Sequence, residues 1–152
     1  MLEKLVEMKR TSFRQSCPNW KEAIVASCQP LIEQNAIDER YIKAVISCVE
    51  KYGPYIVLAP NIAMPHSTEG CEGVNETAIS FMKVEEPVVF EEGNPDKNAK
   101  LFFVLASCDH EEHMKNMVEI ANLLTNPDTV EDLLQCKCDE DLIRVHNKYF
   151  KL

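Results

Sequence analysis

No apolar run in this chain approaches the roughly 20 residues that cross a bilayer; residues 101–106 are among the longest. The opening stretch, Met1-Leu2-Glu3-Lys4-Leu5-Val6-Glu7, carries acidic side chains and no extended apolar core, so no signal peptide is expected. Positive charge is scarce as well: 16 Lys and Arg stand against 25 Asp and Glu, a net charge of −9. That balance argues against nucleic acid or an anionic membrane as the main partner. It favours a basic protein partner, or a phosphate relayed by one, although most of the charge serves solubility. Zinc-type cysteine spacing is missing. The 7 cysteines (Cys17, Cys28, Cys48, Cys71, Cys108, Cys136 and Cys138) are odd in number and scattered. Cys136-Lys137-Cys138 is not a CxxC, and no second pair completes a metal site. These thiols read as small core hydrophobes or surface groups. There is also no HExxH, no internal repeat and no low-complexity linker.

What remains is an ordinary core. A chain of 152 residues with 45% hydrophobic side chains suits one cytoplasmic domain, residues 1–152. Residues 2–8 read as a short helix and 12–17 as an edge strand. Asn19 followed by Glu22 fits a helix start, and Ala23, Ile24, Ala26, Cys28, Leu31 and Ile32 continue it past a kinking Pro30. Asp38 opens a second helix to Tyr52. Its buried stripe is Tyr41, Ile42, Val45, Ile46 and Val49, and Gly53 ends it. Strands are expected at 55–59, 77–84, 87–90 and 100–107, the last most apolar and central. A polar loop covers 91–99. Asp109 caps a helix to Leu124, Asn126-Pro127 breaks it, and helices follow from Asp128 and over 139–149. Interleaved strands and helices predict an α/β three-layer sandwich, a mixed sheet with helices on both faces.

His66 is the most informative of the 4 histidines. Pro60 and Pro65 bracket the segment before it, which reads as a stiff loop holding one imidazole. A held neutral imidazole can be a phosphoryl nucleophile, a general base or a metal ligand. It can equally be a histidine that merely ends a strand. His110 and His113 sit in the first turn of the helix after the central strand. Reaction sites in such sheets gather at the carboxyl ends of strands, and helix starts favour anions. His66 could therefore face His113 across a phosphate-sized space, or both helix histidines could be simple polar N-terminal residues. His146 reads as a solvated surface residue late in the last helix, or as a favourable charge near its end.

These residues also carry a resemblance. Gly53-Pro54-Tyr55-Ile56-Val57-Leu58-Ala59-Pro60 with Ile62-Ala63-Met64-Pro65-His66 closely resembles the active-site segment of enzyme IIA proteins of the bacterial sugar phosphotransferase system, in the mannitol–fructose superfamily and most closely its ascorbate-type branch. Asn19-Trp20-Lys21-Glu22-Ala23-Ile24 is similar to that branch's first helix. Glu112-His113-Met114 with Ile120-Ala121-Asn122-Leu123-Leu124 is similar to the segment bearing its second active-site histidine. The likeness runs from about Asn19 to Leu142. It implies a five-stranded mixed sheet between helices and a phosphorelay. Phospho-HPr would charge His66 at Nε2, and His66 would pass the group to a cysteine of enzyme IIB. The membrane component IIC would then release phosphorylated substrate, ascorbate or a related sugar acid or polyol. His113 would donate to the phosphoryl oxygens. No metal or cofactor is implied beyond the covalent phosphohistidine.

Two departures from the family pattern stand out. Asn61 replaces the usual Gly, although Asn tolerates left-handed backbone. His66-Ser67-Thr68-Glu69 replaces His-Ala-Arg-Pro, which removes a positive charge and adds a negative one. Ser67 and Thr68 could supply hydroxyl contacts to phosphate, or be plain turn residues. These changes motivate a second reading, a regulatory module that reports phosphorylation state without feeding a transporter. A third is a metal or hydrolytic site built on His66, His110 and His113.

Overall fold

The computed structural model describes residues 1–151; Leu152, the end of the expected 1–152 domain, lies outside the described residues. Most of its helices begin where short polar side chains take up orphan backbone N–H groups. Helix α1 spans Leu2–Glu7 and strand β1 spans Thr11–Arg14. The Asn19 side chain accepts from the N–H of Glu22 to open α2, Trp20–Glu33. Pro30 stays inside that helix, buried. Asp38 accepts from the N–H of Arg40 to open α3, Glu39–Tyr52, and Gly53 at φ 84° ends it.

Two very short strands follow, β2 at Val57–Ala59 and β3 at Asn61–Ala63. Strand β4 runs over Ala78–Val89, a 3₁₀ turn over Pro95–Lys97, and β5 over Asn98–Ala106. Helices α4, His110–Leu124, α5, Pro127–Leu134, and α6, Asp139–Tyr149, complete the chain. Asp109 and Asn126 cap α4 and α5 through their side chains.

The sheet has 5 strands in the order β1-β4-β5-β3-β2. β1 runs parallel to β4 and β3 parallel to β5, while the β4–β5 and β2–β3 pairs are antiparallel. The mixed sandwich is as expected, with β5 in the middle. Alternation along β5 fills a core on each face. Phe102 and Val104 meet α2 and α3; Leu101, Phe103 and Leu105 meet the layer of α1 and α4–α6.

Three expectations are corrected. Strands expected at 77–84 and 87–90 are one strand, β4, whose pairing shifts between Lys83 and Val88. That irregularity accommodates Pro87, which has no N–H for a regular ladder. The segment between Pro60 and Pro65 is not all loop, because β3 occupies Asn61–Ala63 and pairs with both β2 and β5. Asn61 makes the reversal after Pro60 at φ 74°, the left-handed backbone for which Gly is the usual choice. Third, His146 is not solvated: only 15% of its side chain is exposed, and its Nε2 lies 2.9 Å from Glu3, tying α6 to α1.

Candidate active site at the sheet's carboxyl end

The parallel pairing of β3 with β5 brings the two histidine segments together. Both strands point the same way, so the chain leaves each at the same sheet end. From β3 it runs through Met64 and Pro65 to His66; from β5 it runs through Ser107 and Cys108 to α4 and His113. The imidazole centroids are 6.4 Å apart. His110 also begins α4 but is exposed. No group of three His, Cys, Asp or Glu side chains among the described residues is arranged to hold a metal ion.

Main-chain bonds fix the approach to His66. The Met64 N–H donates to the Ile56 carbonyl at 2.8 Å, and the Leu105 N–H to the Pro65 carbonyl at 2.9 Å. The His66 ring is then set by its own loop, with Nδ1 2.6 Å from the Met64 carbonyl. A carbonyl only accepts, so Nδ1 carries the proton and Nε2 carries the free lone pair. Burial, with a smaller repulsion from His113, holds the His66 pKa below the ordinary 6.5, although the Met64 carbonyl opposes this. The ring is therefore neutral at physiological pH.

His113 is half-buried, and its pKa is also lowered, by burial first and His110 second. Its Nδ1 is buried without a hydrogen-bond partner. An orphaned N–H is costlier than an orphaned lone pair, so the favoured tautomer puts the proton on Nε2.

Two tyrosines hold the loop from beneath. The Tyr41 hydroxyl, buried on α3, donates to the Leu105 carbonyl at 2.6 Å and accepts from the Ser67 N–H at 3.1 Å. Burial pushes its pKa up to about 12, so it stays a donor. The Tyr55 hydroxyl donates to the His66 carbonyl, and its ring stands edge-on to the imidazole at 5.3 Å. Sequence pattern puts Tyr41 in the buried stripe of α3 and Tyr55 at the start of a strand, whereas β2 begins only at Val57. The available signal was the hydroxyl, since a buried phenol must find a partner.

The remaining expected contacts fall out differently. Ser67 Oγ lies 3.7 Å from the Cys48 sulfur, and Thr68 Oγ1 3.8 Å from it. Burial raises the Cys48 pKa, but the Thr68 N–H and the two hydroxyls outweigh it and hold the thiol below its ordinary value. Both hydroxyls are thus engaged behind the loop. Glu69 is paired with Lys51 at 2.9 Å and accepts from Tyr52, so its charge is compensated locally. Cys71 and Cys108 are bonded as a disulfide, which corrects their reading as separate thiols.

Around this face the surface is acidic. Asp109, Glu111 and Glu112 are exposed at the start of α4. Met114 and Val118 are exposed to 47% and 53%, which leaves an apolar strip one turn long beside His113. A cleft of about 430 Å³ runs between α4 and α1, with Glu112 among its lining residues, and neither histidine lines it.

Comparison with known proteins agrees with this geometry. Residues 4–149 match the family described as "Phosphoenolpyruvate-dependent sugar phosphotransferase system, EIIA 2". The chain is 35% identical to the mannitol-specific cryptic phosphotransferase enzyme IIA component of Escherichia coli K12 over 131 residues, 86% of this chain and 87% of that one. It is 27% identical to the ascorbate-specific PTS system EIIA component of the same strain over 142 residues, 93% and 91% of the two chains. A crystal structure of a putative PTS IIA domain from Streptococcus pyogenes M1 GAS superposes with a TM-score of 0.84 at 30% identity, covering 97% of this chain and 94% of that one. A closely superposing fold, a family match across nearly the whole chain and relatives of similar length converge: the chain belongs to the EIIA 2 family of the sugar phosphotransferase system, as a phosphotransfer IIA component.

Proposed function

We propose that His66 is the phosphoryl carrier of this IIA component, that phospho-HPr charges it, and that a cysteine of a cognate enzyme IIB discharges it. The observation that carries this reading is the 2.6 Å contact of Nδ1 with the Met64 carbonyl, which leaves Nε2 as the nucleophilic nitrogen. In the first transfer the Nε2 lone pair forms a new N–P bond. The donor's N–P bond breaks and its electron pair returns to the donor imidazole. The positive charge that develops on the His66 ring is met at Nδ1–H by the Met64 carbonyl dipole. In the second transfer a thiolate of IIB attacks phosphorus, and the N–P pair returns to His66.

Such transfers need position and charge stabilisation more than covalent chemistry. His113 supplies both if its Nε2–H donates to the phosphoryl oxygens. Ser67 and Thr68 would reach phosphate only by leaving Cys48. The relay is direct and uses no metal or cofactor.

The exposed apolar strip of Met114 and Val118 suits a protein partner better than a free sugar, and the carboxylates around it suit a basic carrier. The membrane component IIC is reached only through IIB. We place the protein in the cytoplasm, where HPr and IIB would be met. The substrate class is ascorbate or a related sugar acid or polyol, in keeping with relatives named for ascorbate and for mannitol. Pairing of Glu69 with Lys51 weakens the case for a purely regulatory module, because it compensates the negative charge that motivated that reading.

The test is intact-mass analysis after incubation with phosphoenolpyruvate, enzyme I and HPr. One acid-labile phosphate on wild type and none on His66→Ala is expected. A His66→Ala protein that still accepts phosphate overturns the site. An uncharged wild type in the presence of charged HPr overturns the carrier role.

A further inference from the structure

We propose that Cys71 and Cys108 are a reversible thiol–disulfide pair, an oxidative modification site that couples the His66 loop to the His113 helix. Their Cα atoms are 5.3 Å apart, within the usual span of a bridge. Cys71 lies in the loop that follows His66. Cys108 immediately precedes Asp109, the cap of α4. The bridge is therefore a covalent strap between the two segments that carry the imidazoles.

The surroundings favour reversibility. Cys108 is exposed and Cys71 half-buried, so a small thiol can reach the bond. Cys28, Cys48 and Cys136 are buried by comparison. The fold also keeps the pair close without the bond: the Val74 N–H donates to the Cys71 carbonyl at 3.0 Å, and Val74 is bridged to Ile37. Ala78 pairs with Ala106 at the end of the β4–β5 ladder, and the Thr77 and Ser107 hydroxyls meet at 3.0 Å one step further out. Opened thiols thus remain near one another, and closure is an intramolecular step at high effective concentration.

The co-reactant is a low-molecular-weight disulfide. The Cys108 thiolate attacks one of its sulfurs and expels a first small thiolate, leaving a mixed disulfide. The Cys71 thiolate then attacks the Cys108 sulfur and expels the second. Two protein thiols lose two protons and two electrons, and the small disulfide is reduced to two thiols. Excess small thiol reverses both steps.

The functional consequence rests on the phosphocarrier reading. Closed, the strap holds the loop after His66 against the start of α4 and pre-organises the gap between the imidazoles. Open, it loosens residues 67–72, whose remaining ties include Ser67 to Tyr41 and Glu69 to Lys51.

The experiment uses the intact protein in glutathione buffers of graded ratio, with thiols trapped and counted by mass. Folded, reduced protein should regain the bridge as the oxidised fraction rises; failure to regain it while still folded overturns the proposal. The His66 and His113 ring resonances should shift between the two forms, and identical resonances overturn the coupling. Phosphoryl acceptance from phospho-HPr should be faster in the closed form by about threefold or more. A Cys71→Ser/Cys108→Ser variant should match the open form. Equal rates, or a faster open form, overturn the pre-organising role. If neither form accepts phosphate, the carrier reading fails, and the thiol count and ring resonances still decide the redox pair.

Discussion

Tyr41 and Ser67 meet across the floor of the site, where the Ser67 N–H donates to the Tyr41 hydroxyl at 3.1 Å while that hydroxyl donates to the Leu105 carbonyl at 2.6 Å. One phenol thus ties the residue after His66 to the central strand. Tyr41→Phe leaves a buried carbonyl and an N–H without their partner. It should cost about 1–3 kcal/mol in denaturant unfolding and slow phosphoryl acceptance. A variant with unchanged rate would show that the loop is held by Tyr55 and the strand bonds alone.

The pH dependence follows from the lowered histidine pKa values. Both His66 and His113 titrate below 6.5 in the folded protein. The unfolded chain therefore binds protons first as pH falls through 6.5, and unfolding becomes easier there. Stability is full above that value and declines as pH drops toward the folded pKa. His66→Gln should flatten the decline in urea midpoints measured from neutral pH downward. Wild-type phosphoryl acceptance should persist below pH 6.5, because Nε2 stays unprotonated; a loss centred at 6.5 or above would contradict the buried neutral ring.

Met114 and Val118 form the exposed apolar strip beside His113. Replacing Met114 with Asp should raise the apparent KM for phospho-HPr by about tenfold, as for an interface anchor. Folding stability should change by no more than about 0.5 kcal/mol, since the side chain is exposed. An unaltered KM would move the docking surface off α4.

Asn61 holds φ 74° at the β2–β3 reversal. Asn61→Gly should be neutral or stabilising by up to about 1 kcal/mol, whereas Asn61→Val should destabilise by about 1–2 kcal/mol. Thermal midpoints of the two variants should therefore move apart, and coincident midpoints would mean the turn relaxes.

Local chemistry made much of this architecture readable. Asn19, Asp38 and Asp109 announce helix starts because capping is settled within three residues. The Ile62-Ala63-Met64-Pro65-His66 run marks His66 as the candidate site histidine. Strand β3 was hidden because Asn61–Ala63 is too short to show a period and is defined by pairing with β5, far along the chain. The Met64 carbonyl that orients His66 is main chain, so no residue type advertises it. The Cys71–Cys108 bond is invisible for a different reason: an odd set of scattered cysteines does not specify partners, and the two meet only where the folded chain sets the loop after His66 against the start of α4.

The two cores also bear on how this site can vary. Tyr41 reaches it from the α2–α3 layer and His113 from the α4 layer, with β5 between them. The sheet therefore acts as a ruler whose thickness is set by backbone geometry rather than by any side chain. Side chains of the α2–α3 layer other than Tyr41 can change to suit a different partner protein while the gap between the imidazoles keeps its width. Specificity can drift on one side of the molecule without recalibrating the chemistry on the other.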